Sequence, residues 1–239
     1  MTSPDGDKAR AQRAEQLAEN LRSVRQRIAV AGGADLLPIT KFHPAEDIEL
    51  LRAGGIHAVG ENREQEAKRK AAELAGSVEI HMVGQIQTNK ANSVAQWAAA
   101  VHTADSERLI TALERGAGLA LERGDRAEKL PVLVQFSADG DPQRGGAPED
   151  QIDQLADLVA GSEHLELRGL MTVPPLGSDP AKVFARGRAL LEGISDRVLG
   201  APVYSAGMSH DLEIAIGEGS TLVRVGTDIM GPQIGRAHV

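Results

Sequence analysis

The sequence predicts an α/β fold, a (β/α)8 TIM barrel preceded by one extra N-terminal helix. Short apolar runs alternate with amphipathic helical segments, and no Pro/Gly/Ser-rich linker or change of composition divides the 239 residues. This alternation is typical of parallel sheets, and closed barrels of this class commonly reach about 250 residues. An open Rossmann sheet is the alternative, but TKFHPAED stands where its glycine-rich phosphate fingerprint would follow the first strand.

The first helix is predicted from apolar residues at helical spacing before two glycines, namely Leu17, Leu21, Val24 and Ile28. The polar residues 1–9 are expected to form a flexible tail, and residues 10–239 to form the barrel domain. Apolar runs then predict eight strands, at residues 36–40, 57–60, 78–84, 100–104, 131–137, 165–173, 202–208 and 221–227.

Helical segments separate these strands. The most highly charged one, NREQEAKRKAAE after the second strand, is expected to be a solvent-exposed helix face with ion pairs between residues four apart.

Composition excludes several classes of partner. A formal net charge of −8 and only five aromatic residues argue against nucleic acid binding, because neither phosphates nor bases would find partners. No apolar run approaches the roughly 18 residues that cross a bilayer, and the polar N-terminus lacks a signal sequence. We therefore expect a cytoplasmic protein without a membrane partner. The absence of cysteine excludes thiolate chemistry.

Polar residues follow the predicted strands, at the end of a barrel where active sites lie. Lys41 follows the first strand. A lysine at such a place often only marks where a strand reaches solvent. Here, however, Asn62, Thr172 and Arg224 stand at the ends of other predicted strands. The histidines show no HxH or HExxH spacing, so no metal site is predicted.

The segment SAGMSHD after the seventh strand has three interpretations. A hydrolytic triad of Ser209 with its two neighbours is excluded, because adjacent residues at a helix start point in different directions. Ser209 could simply cap a helix, or the helix start could bind an anion such as phosphate, together with Gly226 and Thr227. A phosphate and an amine on one rim suggest a phosphorylated aldehyde as ligand.

Six motifs occur in order along the chain, namely T-K-x-x-P at 40–44, V-G-E-N at 59–62, H-M-V-G-Q-I-Q-T-N-K at 81–90, R-G-L-M at 168–171, S-A-G-M-S-x-D at 205–211 and V-R-V-G-T at 223–227. Together they resemble the pyridoxal phosphate homeostasis proteins, single-domain relatives of the barrel half of alanine racemase. The chain departs from many members at Phe42 and His43, and at Asp228, where alanine is common.

The resemblance implies pyridoxal 5'-phosphate as cofactor. The implied cofactor-binding residues are Lys41, Asn62, Met208, Ser209, Arg224, Gly226 and Thr227. Lys41 would carry the cofactor as an aldimine, Asn62 would lie beside the ring and Arg224 would face the pyridine nitrogen. Ser209, Gly226 and Thr227 would hold the phosphate.

The sequence leaves three functions open. The first is a monomeric carrier or buffer in pyridoxal phosphate homeostasis that hands the cofactor to apo-enzymes and catalyses nothing substantial. The second is a racemase-like enzyme. The racemases take one of their two acid/base groups, a tyrosine, from a further domain, and Tyr204, the one tyrosine here, does not match that residue. A racemase-like enzyme of this sequence is therefore expected to lack its second acid/base. The third is a cofactor-free aldolase, which gives Asn62 and Arg224 no role.

Overall fold

The computed structural model describes residues 4–141 and 144–232, and within these ranges eight strands alternate with helices. The strands are β1 Asp35–Pro38, β2 Ala58–Glu61, β3 Glu79–Met82, β4 Ala100–Ala104, β5 Leu130–Phe136, β6 Leu165–Thr172, β7 Val203–Ala206 and β8 Leu222–Val225. The helices are α1 Pro4–Ala31, α2 Ala45–Ala53, α3 Glu64–Leu74, α4 Ala91–Trp97, α5 Glu107–Arg123, α6 Glu149–Ala160, α7 Pro180–Gly193, α8 Leu212–Gly217 and α9 Thr227–Met230. Every predicted strand overlaps an observed one.

All neighbouring strands are parallel, in the order β1-β8-β7-β6-β5-β4-β3-β2. The two ends of this order meet through a parallel bridge between Ile39 and Gly60, and the Thr40 N–H donates to the Gly60 carbonyl at 3.1 Å. The sheet is therefore a nearly closed barrel, and the predicted (β/α)8 fold is confirmed. Because parallel strands end on one side, the segments that follow them share one rim.

Two apolar clusters lie between the sheet and the helices that cover it. One joins α4–α7 to the strands of the β4–β7 side, and the other joins α1–α3, α8 and α9 to β1, β2, β3 and β8. Strand β4 is buried along its whole length, as expected for a strand covered on both faces. In the described ranges, no helix has a stretch long and apolar enough to cross a membrane.

Helix α1 packs on α2, α8 and α9 and contributes to the second cluster. Its four predicted apolar residues are all buried, namely Leu17, Leu21, Val24 and Ile28. The helix begins at Pro4, so residues 4–9 of the expected tail form the first turns of α1, because proline is tolerated at a helix start and the following residues favour helix. Residues 1–3 and 233–239 of the predicted tail and barrel lie outside the described ranges.

Truncating Leu21 tests whether α1 is an integral part of the fold. Leu21 is 2% exposed, so Leu21→Ala is expected to lower the free energy of unfolding by about 2 to 5 kcal/mol. Val30→Ala, on the same helix but 84% exposed, is expected to change it by less than about 0.5 kcal/mol. Urea denaturation measures both, and equal effects would contradict the packing of α1 described above.

Candidate functional site

A cavity of about 470 Å³ opens at the rim where the strands end. All seven residues that the sequence assigns to a cofactor line it, namely Lys41, Asn62, Met208, Ser209, Arg224, Gly226 and Thr227. Other walls come from later strands, including Gln135 on β5 and Met171 on β6. The volume is in the range of pockets that hold small organic ligands.

Lys41 lies just after β1 and is half-buried on the cavity wall. Among the residues that the structure describes, no hydrogen bond or ion pair engages its side-chain amine. A primary amine that faces a cavity without an internal partner is available to an electrophilic or anionic ligand.

A buried ion cluster holds the backbone on both sides of Lys41. The fully buried Lys70 ammonium on α3 donates to the Thr40 carbonyl at 2.8 Å. It also donates to the carboxylates of Glu61, at 2.6 Å, and Glu66, at 2.8 Å. The Thr40 hydroxyl donates to Glu61 at 2.5 Å, and the Phe42 N–H donates to Glu66 at 2.7 Å. The cluster therefore fixes the turn that carries the lysine.

Burial raises the pKa of Glu61, while the Lys70 ammonium and the Thr40 hydroxyl act in the opposite direction. One ammonium thus serves two carboxylates in this part of the barrel wall, and the raised pKa reflects the cost of keeping Glu61 charged away from water.

Phe42 and His43, which depart from the family pattern, have defined places in the same turn. Phe42 has a left-handed backbone with φ 66°, and the Arg63 guanidinium carbon lies 4.7 Å from the centre of its ring. His43 is buried with Nδ1 3.5 Å from Asp47. Burial favours the neutral form of Asp47, but the nearby His43 and the Arg13 guanidinium on α1, which donates to the carboxylate at 2.7 Å, lower its pKa to about 2. Phe42 therefore contacts the segment before α3, and His43 contacts α2, whose Asp47 in turn binds Arg13 of α1.

Asn62 and Gly84 bring the motifs at 59–62 and 81–90 into contact near Lys41. A Cβ on Gly84 would collide with the Asn62 carbonyl, so only glycine permits this approach of β2 and β3 at the rim. The Thr103 hydroxyl donates to the Gly84 carbonyl at 2.9 Å and holds the same segment from β4. The Asn62 residue, and Gln85 after the glycine, then both line the cavity.

Arg224 on β8 forms the floor of the site. Its guanidinium is buried and donates from Nη1 to the Ser205 hydroxyl oxygen at 2.6 Å and from Nη2 to the Thr172 carbonyl at 3.1 Å. Burial lowers the pKa of Arg224 to about 10, so the group remains a cation at neutral pH. A fixed positive charge therefore lies inside the barrel, at the inner end of the cavity.

The turn after β7 differs from the prediction. The helix expected to begin at Ser209 begins at Leu212, because the Asp211 carboxylate accepts the Met208 N–H at 2.6 Å and holds residues 208–211 in a turn. Ser209 therefore caps no helix, and the dipole of the six-residue α8 is not available to it. Within the described ranges the structure records no acceptor for the backbone amides of Ser209, His210, Gly226 and Thr227. Successive free amides of this kind form an anion-binding concavity.

Arg27 on α1 ties together the segments that carry these amides. It donates from Nη2 to the Ser209 carbonyl at 2.8 Å, from Nε to Glu213 on α8 at 2.6 Å and from Nη1 to Asp228 on α9 at 2.6 Å. The acidic residue at position 228, a departure from the family pattern, is thus a partner of Arg27. The N-terminal helix therefore positions both loops at this side of the cavity.

Sequence reasoning missed several residues that position the site. Lys70 was expected to lie on a solvent-exposed helix face, and this is wrong because its side chain is fully buried. A signal was available, since Ala67 and Leu74 mark the buried face of α3 on either side of position 70. Arg27 and His102 carried no local signal, because their partners lie far away in the sequence.

In the described ranges, no group of three or more histidine or acidic side chains is arranged to hold a metal ion. Tyr204 lies away from the cavity, buried, with its hydroxyl donating to the Phe184 carbonyl at 2.8 Å. Burial raises the pKa of Tyr204 to about 12.

Comparisons with known proteins bear on this arrangement. The profile of the family described as "Alanine racemase, N-terminal domain" matches residues 13–233. A pyridoxal phosphate homeostasis protein of Corynebacterium glutamicum is 55% identical over 201 residues, which cover 84% of this chain and 90% of that protein. One of Mycobacterium tuberculosis is 44% identical over 243 residues, covering 92% of this chain and 94% of that protein.

Solved structures agree with the fold. The structure of PipY from Synechococcus elongatus with PLP bound has a TM-score of 0.78 and 31% identity, covering 90% of this chain and 100% of PipY. Alanine racemase from Corynebacterium glutamicum has a TM-score of 0.70 at 18% identity, covering 94% of this chain and 63% of the racemase, and shows the fold alone. The chain belongs to the pyridoxal phosphate homeostasis proteins, within the wider family that shares the alanine racemase N-terminal domain.

Proposed function

We propose that this protein binds pyridoxal 5'-phosphate through Lys41 as an aldimine and acts as a carrier or buffer in pyridoxal phosphate homeostasis, without substantial catalysis. The observation that carries the proposal is the placement, around one cavity, of the Lys41 amine and of backbone amides on the loops after β7 and β8, none of which has a partner among the described residues. The names of the relatives and the PLP bound to PipY support the choice of ligand.

The covalent step requires only the lysine and an aldehyde. The Lys41 Nζ would supply the nucleophile for the aldehyde carbon of the cofactor, with water as the leaving group. The ion cluster around Lys70 fixes both residues next to Lys41 in sequence, so the amine enters the cavity from a defined point. Pre-organisation of this kind favours binding because little freedom is lost when the bond forms.

The phosphate is assigned to the loops after β7 and β8. Ser209 and Thr227 offer hydroxyls, and these two residues and Gly226 offer backbone amides without an internal acceptor in the described ranges. Met208 lines the same cavity and would offer an apolar side chain to the ligand. Hydrogen bonds from several donors to one dianion supply the attraction that the short helices α8 and α9 cannot.

Arg224 is assigned to the pyridine nitrogen and Asn62 to the side of the ring. A permanent cation at the ring nitrogen disfavours its protonation, and an unprotonated ring is a weaker electron sink for reactions of amino acids. Tyr204 is turned away from the cavity onto the Phe184 carbonyl and is not placed to act as an acid or base on a ligand there. Both features favour holding the cofactor over using it.

Recipients of the cofactor are then apo-enzymes that require it, and the protein acts in the cytoplasm as a monomer. The open mouth of the cavity suits exchange, because Met208 and Thr227 at its edge are exposed.

Borohydride reduction tests the covalent link. Reduction of the protein loaded with pyridoxal phosphate is expected to fix the cofactor on Lys41, which peptide mass mapping identifies. Lys129→Ala, an exposed lysine just before β5 at the opposite end of the barrel, is expected to label like wild type, while Lys41→Ala is expected to lose this labelled peptide. A modified lysine elsewhere in wild type would overturn the assignment.

The phosphate loops are tested by comparing two ligands. Ser209→Ala combined with Thr227→Ala removes two hydroxyl donors and is expected to weaken pyridoxal phosphate by at least about tenfold, since a hydrogen bond to a charged group contributes about 1.5 to 3 kcal/mol. The affinity for unphosphorylated pyridoxal is expected to change little. Thr111→Ala, an exposed threonine on α5, is the matched control. Equal losses for both ligands would contradict the phosphate assignment.

Carrier and enzyme are separated by measuring transfer and turnover side by side. The loaded protein is expected to activate an apo-enzyme that requires pyridoxal phosphate, whereas racemization, transamination and decarboxylation of a panel of amino acids stay at the rate of Lys41→Ala. General acid–base help, worth about 10² to 10⁴-fold in rate, would show clearly above that background. Turnover that depends on Lys41 would support the racemase-like alternative instead.

A further inference from the structure

A chain of hydrogen-bonded side chains crosses the inside of the barrel and ends at Arg224. His81 Nδ1 lies 3.0 Å from His102 Nε2, and His102 Nδ1 lies 3.0 Å from the Ser205 hydroxyl oxygen. That oxygen accepts the hydrogen bond from Arg224 Nη1 at 2.6 Å. His102 and Ser205 are buried at 1% and 0% exposure, so water does not substitute for these partners.

The two ends of the chain lie at opposite ends of the barrel. Arg224 lines the cavity at the rim, whereas His81 lines a second cavity where β1, β2, β3 and β8 begin. Glu79 and His57 line the same second cavity, and the Glu79 carboxylate lies 3.8 Å from His81 Nε2. His81, Glu79 and His57 take no part in the binding roles assigned above.

The chemistry of the groups fixes the direction of the chain. A guanidinium only donates, so the Ser205 oxygen is an acceptor toward Arg224. The Ser205 hydrogen then has one acceptor among the described residues, an unprotonated Nδ1 of His102. Neutral His102 consequently carries its hydrogen on Nε2 and donates it to Nδ1 of His81. The opposite direction would leave the Ser205 hydrogen buried without a partner.

The electrostatics agree with this direction. Burial, together with the charge of Arg224, holds the pKa of His102 well below its usual value, so His102 stays neutral and can accept from Ser205. A protonated His102 would present a hydrogen to Ser205 at the atom where an acceptor is required.

We propose that Ser205 and His102 are positioning residues for the cofactor site, which hold the Arg224 guanidinium toward the ring nitrogen of the ligand, with His81 anchoring the far end of the chain. This inference rests on the proposed function. Ser205 presents a lone pair to Arg224 because its own hydrogen is taken by His102. Together with the Thr172 carbonyl, this sets the plane of the guanidinium and leaves its other N–H groups for the cavity.

The direction of the chain is tested first in the cofactor-free protein. Nitrogen-15 spectra of labelled histidine are expected to show His102 as the neutral tautomer with hydrogen on Nε2, the signal being assigned by its loss in His102→Asn. An imidazolium, or a hydrogen on Nδ1, would overturn the proposal.

Binding of two ligands then separates positioning from general damage to the fold. Ser205→Ala is expected to weaken pyridoxal phosphate about tenfold, as for one hydrogen bond to a charged group. It is expected to leave unchanged the affinity for the analogue in which C–H replaces the ring nitrogen. A variant that only disturbs the barrel would weaken both ligands equally, and that result would refute the positioning role.

Two substitutions of His102 make the test sharper. Asparagine ends near the position of Nδ1 and keeps an acceptor for Ser205, whereas glutamine ends near Nε2 and keeps only the contact with His81. His102→Asn is therefore expected to retain near wild-type affinity for pyridoxal phosphate, and His102→Gln to resemble Ser205→Ala. The reverse order would overturn the proposal. If the wild-type protein failed to bind pyridoxal phosphate, the proposed function would be wrong. If the wild-type protein bound it but the variants lost affinity for both ligands equally, only this inference would be refuted.

Discussion

Closure of the barrel between β1 and β2 is the constraint on which the site depends. It rests on the hydrogen bond from Thr40 to the Gly60 carbonyl and on the bridge beside it. A Cβ at position 60 would lie 2.5 Å from the terminal methyl of Ile39, so glycine lets the Ile39 side chain pack directly against this join. This join places Lys41, after the first strand, beside Asn62, after the second, and without it the lysine would lie at the open edge of a sheet.

The join is reinforced by charges where a barrel wall usually has apolar packing. Lys70 and Glu61 are both fully buried, and such a pair gains little over apolar residues because both charges lose their hydration. Removing only one partner is much more damaging than the pair is favourable, because the other charge is left buried alone. The cluster therefore contributes little to stability, but it specifies one conformation for the residues around Lys41.

The fold and the residues that line the cavity were predictable, because both follow from patterns within short segments. Eight apolar runs predicted eight strands, and their polar ends predicted Lys41 and Arg224 at one rim. The start of α8 was not predictable from the N-cap pattern, since Ser209 and Asp211 are both good caps and the contact of Asp211 with Met208 decides between them. The buried positions of Lys70 and His102 were not predicted for a related reason. A buried polar residue is recognised by its hydrogen-bond partners, and folding brings these partners from distant segments of the chain.

Arg27 bears on how this protein can change during evolution. Its acceptors lie on three segments, and two of them, Glu213 and Asp228, are carboxylates next to the loops assigned to the phosphate. Loss of Arg27 would leave those two negative charges facing a bound dianion, which like-charge repulsion disfavours. A cation at position 27 therefore favours an acidic residue at position 228. Among relatives, these two positions should covary, with alanine at 228 wherever the arginine on α1 has been replaced.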